Sequence, residues 1–263
     1  MKKLYFGAAV LFLGLTSCSS SDDSTITDSA NIYLPLTLTS SWDYDVKMNG
    51  DAIGNDHLFV SGESTINGKT YQQLKTENVP NGFYSNALNN NSVRKEGDKI
   101  LLTGTTGLEL AEFLPINIEV NDFVLFKENA SSNAQLDAIS GTMQYTLQEM
   151  PLDIAYNLKS TFKESLASFT VPGKGTYTNV KVIKVVANLK VTTDYVIPVI
   201  NSLTTISILN AQDVIVSTQY YAEGVGMIYA KTDINYQLND FSQFNIELPL
   251  PAQGSSTIEE LMN

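Results

Sequence analysis

"WDYDVKM", residues 42–48, sets Trp42, Tyr44, Val46 and Met48 against Asp43, Asp45 and Lys47. Successive side chains of a strand point to opposite faces, so a period of two gives one buried and one wetted face. The same pattern recurs along the chain. "INGKTYQQL" (66–74) holds Asn67-Gly68 between two strand-like runs, the strongest short hairpin signal. "VRKEGDKILL" (93–102) predicts a hairpin turning at Glu96-Gly97-Asp98, and "PINIEVNDFVLF" (115–126) a pair of short strands around Asn121-Asp122. Alternation continues in "LDIAYNL" (152–158), "YTNVKVIKVVANLKV" (177–191), "TTISIL" (204–209), "DVIVSTQYY" (213–221) and "GMIYAKTDINYQL" (226–238). Closely spaced strands joined by Gly, Asn and Asp turns predict an antiparallel all-β domain. Because the runs follow one another as hairpins, a strongly curved sheet or barrel-like meander is expected, with at most one or two short helices. A two-sheet β-sandwich fits the same periodicity. Leu158, Phe162, Leu166 and Phe169 at helical spacing predict one helix over 158–169, and "TIEELMN" (257–263) a terminal turn.

Composition bounds the function. Of 263 residues 43% are apolar, enough for a large core, and residues 32–263 read as one domain with neither a repeat nor an internal linker. The formal net charge is −12, and Arg94 is the one arginine. Phosphate neutralisation needs clustered Lys and Arg, so nucleic acid is excluded as a partner, and anionic lipid surfaces repel such a chain. With a single cysteine, no disulfide can form within the chain.

The search for chemistry yields little. His57 is the only histidine, "NDHLFV" contains no nucleophile elbow, and no G-x-S-x-G occurs. It reads as a surface or turn residue. One histidine and no spare thiol make a poor zinc set. Asp43, Asp45 and Asp51 suggest calcium by their spacing, but Lys47 stands where an EF-hand loop needs oxygen, so they read as solvated strand carboxylates. "GKG" (173–175) precedes a strand rather than a helix and reads as a turn. Four tyrosines in "QYYAEGVGMIYAKTDINY" (219–236) suit either a binding platform or, as preferred here, strand and core positions. Neither a cofactor nor a metal is implied.

The start of the chain carries an address. Lys2 and Lys3 precede a 12-residue apolar run, Leu4 to Leu15, shorter than the roughly 20 residues that cross a bilayer. Leu15-Thr16-Ser17-Cys18 then resembles the lipobox of bacterial lipoproteins. The resemblance implies that residues 1–17 are a signal peptide and that Cys18 is lipidated and becomes the first residue of the processed chain. Several acyl chains on one residue anchor firmly where a single chain does not. Residues 18–31 are small and polar apart from one isoleucine and read as a flexible tether. Asp22 and Asp23, close behind Cys18, resemble the acidic export signal of Bacteroidetes surface lipoproteins. Asp23-Ser24-Thr25 and Asp28-Ser29-Ala30 resemble that phylum's O-glycosylation triplets, with Ser24 and Ser29 as acceptors. "YLPL" (33–36), "WDY" (42–44), "GKTY" (68–71) and "YYAEGVGMI" (220–228) are similar to segments of uncharacterised lipoproteins of that type. The resemblance implies a β-rich protein at the outer membrane, facing the cell surface, and brings no catalytic residues with it. The expectation is a non-catalytic binding or accessory module, attached to the membrane by acyl chains and holding a glycan, an apolar ligand or an outer-membrane protein. A structural subunit of an outer-membrane complex and a carboxylate-dependent hydrolase are the alternatives.

Overall fold

The computed structural model describes residues 33–109, 115–197, 201–241 and 251–263. Cys18, Asp22, Asp23, Ser24 and Ser29, together with the rest of the expected signal peptide and tether, lie outside the described residues. Among those described, the elements are β1 (Ser41–Met48), β2 (Asp51–Ile66), β3 (Lys69–Thr76), α1 (Phe83–Leu88), β4 (Ser92–Glu96), β5 (Lys99–Glu109) and β6 (Pro115–Lys127). They continue with β7 (Gln135–Leu147), β8 (Met150–Thr170), β9 (Thr176–Ile197), β10 (Ser202–Ala222), β11 (Gly226–Gln237) and β12 (Gln253–Met262). All strands join one antiparallel sheet in the order β6-β5-β4-β3-β2-β1-β12-β11-β10-β9-β8-β7, nearly closed into a barrel. The sandwich alternative therefore falls.

Every neighbour in that order is also a neighbour in sequence, except where β1 meets β12, Tyr44 opposite Met262. The meander arises from short hairpins. At Asn67-Gly68 both residues take positive φ, 51° and 76°, the mirror-image turn whose twist matches paired strands. The seam lies between β6 and β7, where side chains take over from the backbone ladder. Asp137 accepts the Val124 N–H at 2.9 Å through one carboxylate oxygen and the Ala138 N–H at 2.8 Å through the other. The Ser160 hydroxyl donates to the Val124 carbonyl at 2.6 Å.

Alternation fixes what faces inward. Trp42, Tyr44, Leu58, Leu74, Val93, Phe162, Ile183, Leu189 and Tyr221 belong to one buried cluster lining the barrel interior, each 4% exposed or less. Outward positions carry charge, as with Asp43, Asp45 and Lys47 on β1 and Lys231 and Asp233 on β11. That is the reverse of the lipid-facing apolar band that a membrane-spanning barrel needs. Among the described residues no helix is long and apolar enough to cross a membrane.

A second cluster sits on the outer face. The β8–β9 hairpin ends at Val171–Gly175 and lies across the neighbouring strands, so that Val171, Val180, Ala222, Ile228 and Leu261 are 1% exposed or less. Phe169 stacks on Tyr220 with ring centroids 4.0 Å apart, and Lys174 ion-pairs with Asp45 of β1.

Three expectations change. Residues 158–169 are strand, not helix: Leu158 and Phe162 face the interior, whereas Leu166 and Phe169 face outward after a register shift between Phe162 and Glu164. A bulge thus mimicked helical spacing. Residues 257–262 are no frayed turn but part of β12, paired on both sides to β1 and β11. Asn121-Asp122 is not a hairpin turn. Asp122 takes φ 52° at an irregularity within one continuous strand, β6.

Candidate functional site

The β1–β2 hairpin decides which side chains meet on the outer face. Its tip pairs Met48 with Asp51 and Lys47 with Ala52, and strict continuation would set Asp43 opposite Asp56. Instead Val46 pairs with Gly54, leaving Ile53 as an extra residue, and beyond this bulge Asp43 faces His57. A one-residue slip exchanges the faces of a strand. It turns His57 and Phe59 outward and sends Asp56 and Leu58 into the barrel, at 4% and 0% exposure.

The outer row runs Asp43, His57, Glu77 across β1, β2 and the residue that follows β3. His57 Nδ1 and Asp43 Oδ1 are 2.6 Å apart, and the side chains are 37% and 60% exposed. The Glu77 N–H donates to the His57 carbonyl at 3.1 Å, extending the pairing of β3 with β2. In the adjoining row Phe59 lies between Ser41 and Lys75, and its ring stacks on His57 at 5.6 Å. Asp43, His57, Phe59 and Glu77 line a shallow depression of about 360 Å³. Two carboxylates, an imidazole and an aromatic ring can accept hydrogen bonds, hold positive charge and offer a stacking edge. No hydroxyl, thiol or amine side chain is among the residues that line it.

The inner side of the same hairpin serves α1. Asp56 accepts the N–H groups of Asn81 and Gly82, both at 2.8 Å. From β12, Glu260 accepts the Tyr84 N–H at 2.7 Å, the Ser85 N–H at 2.9 Å and the Ser85 hydroxyl at 2.8 Å. Two buried carboxylates from non-adjacent strands thus satisfy the orphan donors where the helix begins. Gly82 permits this closeness, since a Cβ there would lie 2.1 Å from the Glu260 carboxylate. Burial pushes the Glu260 carboxyl up to about 7, and the Asp56 charge adds to the rise, against three donors that favour ionisation. Held in this way, α1 places Tyr84 inside the barrel, edge-on to Tyr44 at 6.1 Å and to Tyr221 at 6.2 Å. Burial raises all three phenols above their ordinary 10.0.

A third charged group spans the outer face of β3, β4 and β6. Asp122 accepts two bonds from Arg94, at 2.9 and 2.8 Å, one from Tyr71 at 2.5 Å and one from Lys69 at 2.9 Å. The Arg94 guanidinium holds the Asp122 carboxyl well below the usual carboxylate range. Tyr71 and Arg94 are themselves buried, so this is a staple between strands.

Of the residues singled out in the sequence, Asp43 and His57 come together. Asp45 is drawn elsewhere, to Asn55 and Lys174, and Asp51 stands exposed at the start of β2. Among the described residues no group of three or more His, Cys, Asp or Glu could hold a metal ion. Gly173-Lys174-Gly175 is the β8–β9 turn, and its lysine also bonds Asn263. Of the four tyrosines in 219–236, Tyr221 and Tyr236 are core, while Tyr220 and Tyr229 flank the outer aromatic stack. Glu77, Phe59, Asp56 and Glu260 went unnoticed in the sequence. Alternation alone could have paired Phe59 with His57, but it gives no sign of Glu77, which follows β3, or of Glu260, which comes from β12. Compared with known protein families, curated proteins and solved structures, the chain matches none of them.

Proposed function

We propose that this chain is a lipid-anchored, non-catalytic binding module of the outer membrane, facing the cell surface. Cys18 carries the acyl chains, residues 18–31 form the tether, and the barrel displays its outer surface to a partner. The observation that supports this reading best is the filled interior around α1, where Tyr44, Tyr84 and Tyr221 are 2% exposed or less. Recognition then falls to the outer strand faces, where Asp43, His57, Phe59 and Glu77 frame the depression. Replacing Cys18 with serine should move the protein from the membrane to the soluble fraction of a cell lysate. Retention of the variant in the membrane would refute the anchor. Protease shaving of intact cells should remove the domain, and Asp22→Ala with Asp23→Ala should protect it.

One observation favours a second reading, a carrier of apolar ligands. On the inner face near the seam Ile139, Met143, Tyr145 and Tyr156 are only partly buried against the core. Native mass spectrometry of the non-acylated Cys18→Ser protein from its native host separates the two, since a carrier retains lipid and the module does not.

A further inference from the structure

The two edges of the sheet are built differently. β6 carries the devices that keep a strand edge from pairing: Pro115, Glu119 and Asp122 in its sequence, and two breaks in its register with β5. Its inward residues Ile116, Ile118 and Val120 are 4% exposed or less. β7 is protected only at its start, where Asp137 accepts the Ala138 and Val124 N–H groups. From Ala138 to Leu147 the sequence AISGTMQYTL holds neither charge nor proline, and its pairing with β8 runs without a bulge. Every second residue of an edge strand turns its N–H and C=O away from the sheet. Among the described residues no strand meets that row, and the Asn157 side chain of β8 donates to the Ile139 carbonyl at 3.5 Å. Ile139, Met143 and Tyr145 stay partly exposed on the inner face, while Ser140, Thr142, Gln144 and Thr146 are exposed on the outer one.

We infer that the bare β7 edge is a docking surface for the same edge of a second copy of this chain, the two sheets joining by antiparallel β7–β7 pairing about a two-fold axis at Thr142. Self-pairing suits this segment on both faces. The axis sets Ile139 opposite Tyr145 of the second copy and Gly141 opposite its Met143, all on the inner face, where the Tyr156 side chain lies over Gly141. On the outer face it sets Ser140 opposite Gln144 and Thr142 opposite Thr142. Apolar thus meets apolar, and hydroxyl meets amide or hydroxyl, the cross-strand pairs that stabilise sheets. Charge selects the same partner. Two chains of net charge −12 repel one another, and the stretch from Ala138 to Leu147 lets them meet without opposing like charges. An edge of this length makes a small interface, so the dimer should form with a Kd on the order of 10 μM.

Sedimentation velocity of the full chain in detergent, from about 1 to about 100 μM, should show a shift from monomer to dimer. Thr142 is exposed on the outer face, so Thr142→Lys should keep the fold by circular dichroism. It sets two ammonium groups against each other at the axis and should weaken the dimer at least about tenfold. Ser140→Lys combined with Gln144→Glu sets each new lysine opposite a new glutamate of the second copy. This double variant should dimerise about two- to fivefold more tightly than the parent at low salt, whereas Ser140→Lys alone should not. Thr142→Cys locates the axis: a short bis-maleimide reagent should link it into a homodimer in excess of the parent. Thr146→Cys, which faces Ala138 of the second copy, should give no such excess. A monomer at every concentration, a dimer indifferent to Thr142→Lys in a folded protein, or equal linkage through Thr146→Cys would overturn the inference. Each of these outcomes leaves anchoring through Cys18 to be judged separately.

Discussion

Replacing Glu260 with glutamine isolates the energetic cost of one buried carboxyl. Burial raises its pKa from the ordinary 4.5 to about 7, so the folded chain binds this proton more tightly than the unfolded chain does. The stabilisation is therefore fully present below pH 4.5 and is lost as pH rises through about 7. At 1.36 kcal/mol per pKa unit the loss amounts to about 3 kcal/mol, a large share of the roughly 5–15 kcal/mol that holds a domain folded. Glutamine stays neutral throughout but presents an N–H₂ group to one of the three donors, which costs about 1–3 kcal/mol. The variant should be less stable than the parent at pH 5 and should approach it by pH 8. The assay is urea unfolding at pH 5, 6, 7 and 8, followed by the fluorescence of the single, buried Trp42. Both chains carry His57→Gln, so that no imidazole titrates. The phenols of Tyr44, Tyr84 and Tyr221 titrate above this range and do not contribute. Parallel stability profiles for the two chains would refute the reasoning, since burial would then not govern the proton on Glu260.

Asp122→Asn should flatten the acid limb of stability, because a carboxyl held low by Arg94 contributes above its ordinary pKa of 3.8 and is lost as pH falls through its folded value. Acid unfolding of parent and variant by circular dichroism checks this. Ile53 is 41% exposed, so Ile53→Ala should change stability by less than about 0.5 kcal/mol. Deleting Ile53 should also leave the fold intact, because it removes only the extra residue of the bulge and Val46 still pairs with Gly54 and Asp43 with His57. Thermal melts of the two variants compare them directly. Val171→Ala should cost about 1.5–3 kcal/mol at a fully buried site on the outer face, whereas Lys174→Ala, which breaks a partly exposed ion pair, should cost under about 1 kcal/mol by urea denaturation.

The strand content was legible because alternation such as that of residues 42–48 reports which face is buried, and that is a local property. The curved meander followed from hairpins such as Asn67-Gly68, whose turn residues are also local. What alternation could not convey was the register. Ile53 carries no mark of being a bulge, so Asp43 could not be matched to His57 rather than Asp56. The break after Phe162 likewise imitated a helix. Of the candidate site, Asp43 and His57 were visible as residue types only. Glu77 joins them through the pairing of β2 with β3, and Glu260 meets Ser85 across 175 residues of chain. Contacts of that separation leave no trace in a single sequence.

The pairing of β1 with β12 has a kinetic consequence. The Thr257 N–H donates to the Asn49 side-chain oxygen across 208 residues, so the middle of the sheet closes only when the last strand reaches the first. Local hairpins such as β2–β3 and β8–β9 can form early, but β1 and β11 each keep an open edge until β12 docks between them. Loop closure over such a span is slow, and unpaired edges invite association with other chains in the meantime. During refolding, hydrogen exchange should protect amides of β8 and β9 before those of β1, and dilution should raise the yield of folded monomer.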